Sequence, residues 1–509
     1  MHLRLPPGHH ARLRGQGLSY RPKLTRRQLL ELGALCLAGA VVPFARPAWA
    51  RKPLRVRGVV RSGGKGVPGV AVSDGLDVVA TAADGTYELI TSEPCERLQI
   101  SLPSQYRIAR DAKGIARMAA PVRQKGNGEA EAVWDLERLP EKTDRHAFLL
   151  LADIQTQDAG EMKRFQDETV PDLQATVRGL AGVETFAVSC GDIMYDHLEL
   201  FPDYERGASR VPVPFFQAVG NHDLDRGALT DPLSTRTFVS RYGPRYYSFE
   251  RGGVHYVVLD DVFWYGDAYI GHLEAEQLQW LAADLRLVEP GRTVIVLLHI
   301  PALGTHQLRE GQAKPLPSYT VTNHELLLQM LEPYRAHLLA GHTHETEHGF
   351  GRGYHEHVGG AVCGAWWTGP ICADGTPNGY AVYEIAGEKV SWKYKSTGKP
   401  LGHQMRLYKP GAQPDLRDQV LANVWDWDPD WKVLWFEDGQ ARGPMERRRG
   451  TDPLSDELFA GPAKPRKHDW IDPFVTDHLF VARPRPGAKT ITVEATDRFG
   501  RVHSERLAL

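Results

Sequence analysis

The run Thr185-Phe186-Ala187-Val188-Ser189-Cys190-Gly191-Asp192-Ile193-Met194-Tyr195-Asp196 carries an apolar, strand-like stretch straight into a glycine and two aspartates. Similar passages recur on either side: AFLLLAD (147–153), PFFQAVGNHD (214–223), VHYVVLDD (254–261), TVIVLLHIP (293–301) and AHLLAGHTH (336–344). Stretches of helical character, 161–180, 273–287 and 323–334, alternate with them. Apolar runs that each stop at a polar cluster predict buried strands with the active residues on loops beyond their carboxyl ends. The middle of the chain is therefore expected to be a layered α/β catalytic domain.

Most of the good ligands of this segment sit at those strand ends: Asp153 and Gln155, Asp192 and Asp196, Asn221, His222 and Asp223, His342 and His344, with His299 closing the run TVIVLL. Carboxylates, imidazoles and an amide form a mixed oxygen and nitrogen set that suits Zn, Mn or Fe, unlike the all-oxygen cages of calcium. One metal would leave too many ligands over. Two cations about 3.5–4 Å apart need a carboxylate between them, and such a pair clamps both the attacking and the leaving oxygen in phosphoryl transfer. Glycines before several of the ligands allow a sharp turn and close backbone approach.

These motifs, over roughly 145–395, resemble the calcineurin-like metallophosphoesterases, and the three-part layout resembles bacterial exported members with extra β-rich domains at each end. The resemblance implies a four-layer α/β/β/α sandwich with two divalent metals above the strand ends. It makes Asp192 the bridge, places Asp153, Gln155 and His344 at the first metal, and places Asn221, His299 and His342 at the second. His222 would stand near the leaving oxygen as electrophile or general acid, oriented by Asp196, with Asp223 the competing orienter. One position departs from the family's usual Asp-x-His: Gln155 stands where the histidine would be. A glutamine carbonyl is a weaker, neutral donor, so that metal is expected to be held loosely or to be a harder ion such as Mn or Mg.

After the GHTH motif, Trp366 and Trp367 lie between glycines and are expected to form a flat substrate wall. Tyr265, Tyr269 and His272 are further candidates for it, while His197, His306, His337 and His348 fit no motif.

The flanks differ in texture. Residues 1–50 run from a basic region through an apolar stretch to Pro47-Ala48-Trp49-Ala50, with TRRQLL at 25–30, the pattern of a cleavable twin-arginine signal. This predicts a periplasmic or secreted protein with no stable membrane span after cleavage. Residues 51–140 alternate with Gly and Asp-Gly turns and predict a β-sandwich resembling prealbumin-like modules, in which Asp74 and Asp84 are turn residues. Residues 396–509 predict a second β-rich domain, with a long surface loop over 445–468. An oxidising compartment permits disulfides, and Cys363 and Cys372 are close enough to staple one loop, although their spacing is not diagnostic.

Across the 509 residues, 61 Lys and Arg balance 63 Asp and Glu, so no global field draws the chain to nucleic acid. The expected activity is hydrolysis of a small phosphomonoester or phosphodiester by a metal-activated water. The alternatives are a catalytically weak envelope or glycan-binding relative and a nucleotide-directed nuclease. Neither the monoester or diester choice nor the oligomeric state follows from the residues.

Overall fold

The computed structural model describes residues 53–92, 95–140, 144–462 and 464–509. The expected signal segment, Arg26 and Arg27 included, lies outside the described residues.

The catalytic core is two stacked sheets. The first has the order Phe215–Ala218, Glu184–Cys190, Arg145–Leu151, Gly379–Ala386, Lys389–Ser396. Its first three strands run parallel, and the last two return antiparallel. In the second, Val254–Val258, Thr293–Leu297, Arg335–Ala340 and Tyr354–Val358 run parallel, edged by Tyr247–Arg251 and Glu347–Gly351. Strand side chains alternate between faces, and here both faces are buried. Phe148 and Leu150 point into the layer between the sheets with Phe186, Val188, Tyr256, Ile295 and Leu339. Leu149 and Leu151 point the other way, against Phe165, Leu173, Phe201 and Tyr204 of the outer helices. On the far side, Trp280, Leu281 and Leu327 of helices Ala275–Leu285 and His324–Leu331 cover Val257, Val294, Val296 and Leu338. The result is the four-layer α/β/β/α sandwich that the family resemblance implies. The first helical stretch is continuous but changes pitch: Ala159–Arg164 passes through a π turn, Phe165–Thr169, into Val170–Gly179.

Both flanks are sandwiches of short strands. In the N-terminal one, Pro53–Ser62 pairs with Thr86–Ser92 and Glu129–Asp135, and its core contains Leu54, Val56, Val72, Leu89 and Trp134. Asp74 Oδ1 accepts from the Leu76 and Asp77 amides, and Asp84 Oδ1 from Thr86, so both are turn residues. In the C-terminal one, sheets built on Thr476–Ala482 and Thr490–Thr496 enclose Val420, Val433, Phe480, Ile491 and Val493.

The expected long loop over 445–468 is corrected. It holds a strand, Glu446–Gly450, then a helical turn, Pro453–Ser455, capped by the Asp452 carboxylate, and a π turn, Asp456–Ala460. Its density of Pro, Arg and Gly hid an N-cap followed directly by proline, a combination that starts helices.

Candidate metal centre

The strand ends deliver the expected ligands through unusual backbone. Asp153, Gln155, Asp192, His342 and His344 have φ of 49°, 43°, 48°, 73° and 53°. Left-handed conformations cost non-glycine residues roughly 1–2 kcal/mol each, and such strain collects where function demands the geometry. Close approach does the rest. A Cβ on Gly220 would lie 1.9 Å from the Asp192 amide nitrogen, and one on Gly341 would lie 2.6 Å from Asp153 Oδ2, so both positions require glycine.

Asp192 is the hinge of the site, 1% exposed. Its Oδ1 lies 3.4 Å from His299 Nε2, which in turn is 3.0 Å from Asn221 Oδ1 and 3.2 Å from His342 Nδ1. Its Oδ2 faces the other way, 2.7 Å from the Gln155 amide. On that side Asp153 Oδ1 and His344 Nε2 stand 3.4 Å apart. Both are buried without a hydrogen-bond partner among the described residues. Leaving a buried polar atom unpaired costs about 1–3 kcal/mol, and two such atoms aimed at one point fit a cation there. Each histidine is pinned by its other nitrogen to a backbone carbonyl: His299 Nδ1 to Cys190, His342 Nε2 to Ser318 and His344 Nδ1 to Gly364, all at 2.8 Å. That is how ligand imidazoles are held in tautomer and orientation. Burial and the neighbouring His299 hold His342 well below its ordinary pKa, keeping it neutral. Burial would raise the Asp153 carboxyl, but His344, His299 and His342 outweigh it and hold it below its usual value.

Gln155 is brought to the site, yet it turns its amide nitrogen rather than its carbonyl toward Asp192, with Oε1 4.0 Å from Cys363 Sγ. A half-turn of the amide exchanges the two atoms.

His222 stands at the lip, its side chain 17% exposed, with Nδ1 2.7 Å from Asp196 Oδ1. It stacks on Tyr195 at 4.3 Å, and its backbone amide donates to Asp192 Oδ1 at 2.8 Å. Asp223 does something else: its carboxylate accepts from the amides of Ile193, Met194 and Gly220, clamping two ligand loops together. Burial and the Asp192 charge push it up to about 8.

The paired tryptophans separate. Trp366 stacks on His344 at 4.1 Å. Trp367 is 7% exposed, gives its indole N–H to the Ile154 carbonyl and lies under the Arg164 guanidinium, so it supports the loop beneath the site instead of forming the expected substrate wall. Tyr269 meets the edge of His342 at 6.0 Å, whereas Tyr265 is 53% exposed and His272 bonds Thr322. Cys363 and Cys372 are free thiols, which corrects the possible staple. Cys363 Sγ instead lies 3.5 Å from His344 Nδ1.

Several residues near the centre carried no signal in the sequence. Arg226 pairs with Asp196 at 2.6 Å, Tyr319 lies 5.6 Å from His342, and Asp261 accepts from the His299 and Ile300 amides. The C-terminal domain also reaches in. Trp470 meets Trp366 at 4.4 Å, His468 lies 5.7 Å from Tyr195, and Lys467 bonds Asp158 and Glu161.

A model of the calcineurin-like phosphoesterase core matches residues 146–346, and models of its N-terminal and C-terminal parts match 54–138 and 356–503. The chain is a calcineurin-like metallophosphoesterase. Its paired ligand sets suit two divalent ions, the equipment for hydrolysing phosphoesters with a metal-activated water. Among curated proteins this metallophosphoesterase is similar to the bovine serine/threonine-protein phosphatase CPPED1, 26% identical over 249 residues, which covers 47% of the chain and 74% of the relative. The human CPPED1 is 24% identical over 327 residues, covering 60% and 98%. Purple acid phosphatase 22 of Arabidopsis thaliana is 29% identical over 174 residues, covering 31% and 37%. These vertebrate and plant relatives overturn the expected kinship with bacterial exported forms, and the periplasmic or secreted location falls with it. No described helix is long and apolar enough to cross a membrane.

Proposed function

We propose that Asp192 bridges two divalent metals, with Asp153, Gln155 and His344 at one and Asn221, His299 and His342 at the other, in a hydrolase of small phosphomonoesters. The observation that carries this reading is the division of one buried carboxylate, Oδ1 toward the His299 and Asn221 side and Oδ2 toward the Gln155 side. The bound pair supplies an activated water and neutralises charge on the phosphoryl oxygens. His222, held through Nδ1 by Asp196, protonates the departing alcohol oxygen from Nε2. Arg226 keeps Asp196 anchored, and Trp366, stacked on His344, meets Trp470 beside the centre. The relatives are named serine/threonine-protein phosphatase and purple acid phosphatase, which favours a monoester and makes a phosphorylated serine or threonine side chain the first substrate to try.

Asp192→Asn tests it, because a neutral amide does not hold two cations together. The expected result is an intact fold by circular dichroism, loss of the paired metals of this centre by elemental analysis and no turnover of an aryl phosphate. Two tightly bound metals with normal turnover in that variant would overturn the assignment.

A further inference from the structure

A second ligand cluster lies outside the centre just described. His348 and His357 sit directly opposite each other on the antiparallel strands Glu347–Gly351 and Tyr354–Val358, with their rings stacked at 4.2 Å. Asp426, from the C-terminal domain, faces both: its Oδ1 is 2.9 Å from His348 Nε2 and 3.9 Å from His357 Nε2. The three side chains are 1%, 0% and 2% exposed. His357 Nε2 has no hydrogen-bond partner among the described residues, although its Nδ1 is fixed by the Tyr383 hydroxyl.

We propose that His348, His357 and Asp426 form a third metal site, structural rather than catalytic, which takes a borderline divalent cation such as zinc and ties the C-terminal domain to the edge of the second sheet. Two imidazoles and one carboxylate are a zinc-type donor set. Zinc-to-ligand distances of about 2.0–2.1 Å in a tetrahedron place neighbouring donors about 3.3–3.4 Å apart. The observed 2.9 and 3.9 Å straddle that value, so sub-ångström shifts admit an ion. The fourth position is left to water.

The surroundings match the way ligand histidines are supported. His348 Nδ1 lies 3.0 Å from His355 Nε2, and His355 Nδ1 lies 3.1 Å from His337 Nδ1, a relay that lets each ring donate away from the cluster. Asp426 Oδ2 accepts from the Tyr394 amide, which leaves Oδ1 for the ion. The nearest guanidinium groups are already neutralised, Arg498 by Asp428 and Asp430 and Arg501 by Asp497. Without a cation, a fully buried imidazole nitrogen stays unsatisfied, a state that folded proteins avoid.

The test keeps this site separate from the catalytic one. Asp192→Asn in the full chain is stripped with chelator and titrated with zinc, and bound metal is read by elemental analysis beside the thermal midpoint. One retained equivalent and a raised midpoint are expected, with both lost when His357→Gln or Asp426→Asn is added. In the chain with Asp192 intact, the same two substitutions should remove one equivalent and leave aryl phosphate turnover within twofold. Cobalt in place of zinc gives a check that needs no change to the cluster, since a four-coordinate site shows intense visible absorption. Failure of the stripped protein to take up any equivalent would overturn the proposal. So would an equivalent that is indifferent to both substitutions.

Discussion

Replacing His222 by alanine removes the group best placed to protonate a leaving alcohol. A general acid contributes about 10²–10⁴ in rate, which at 1.36 kcal/mol per decade is about 2.7–5.4 kcal/mol of transition-state stabilisation. The structure also sets a smaller, dependent effect. Asp196 touches His222 through a single bond of 2.7 Å at a site where the two side chains are 17% and 27% exposed. A charge-assisted bond is worth about 1.5–3 kcal/mol, and partial exposure with competition from Arg226 at 2.6 Å places Asp196→Asn near the lower end, roughly tenfold in kcat. The two losses should not add: once His222 is gone Asp196 has nothing to orient, so the double variant should match His222→Ala within a factor of two. The assay is kcat on phosphate esters of graded leaving-group acidity, with metal content measured in parallel. The loss should shrink for the most acidic leaving groups, which need no proton. An equal loss across all of them, or a further tenfold fall in the double variant, would refute the proton-donor role and its orientation by Asp196.

Gln155→His should slow metal loss during chelator titration, because imidazole binds borderline metals more strongly than an amide does; loss no slower than in the parent would show that position 155 is not a ligand. Phe148, fully buried and stacked on Tyr383 at 4.6 Å, should cost about 3–5 kcal/mol on change to alanine, measured by denaturant unfolding, and a cost under 1 kcal/mol would mean that the layer between the sheets repacks freely. His255 gives a pH dependence: burial would lower it, but Asp284 and Glu250 on its two ring nitrogens outweigh that and raise it to about 10 from an ordinary 6.5. A raised group stabilises fully below its unfolded pKa and loses that contribution as pH rises through the folded one. Stability should therefore decline between about pH 6.5 and 10, and His255→Gln should flatten that decline.

The strand ends were legible because each proposed ligand follows an apolar run, and those runs are buried on both faces. Asp153, Asp192, Asn221, His299, His342 and His344 converge for that reason. What could not be read was orientation and long-range approach. Asp223 competed with Asp196 as the partner of His222 in one dimension, and only the fold shows it clamped by three backbone amides instead. Trp367 looked like a wall because no pattern reveals that the Ile154 carbonyl waits for its indole N–H. Lys467 and His468 sit in a stretch whose Pro, Arg and Lys content suggested solvent, Trp470 lies just beyond it, and all three belong to a different domain from the residues they approach. The second cluster was hidden for the same reason: His348 and His357 meet only because two antiparallel strands pair, and Asp426, which completes their cluster, lies far along the chain.

The approach of Trp470 to Trp366 also imposes an order in time. All the ligands of the main centre precede residue 345, and the two strands that complete the first sheet end at Ser396. Trp470 is added about 70 residues later, which at 5–20 residues per second is roughly 4–15 s of synthesis. On the proposed assignment, every metal ligand of a nascent chain is therefore in place before the tryptophan that meets Trp366 has been made, so the ions can load ahead of that contact.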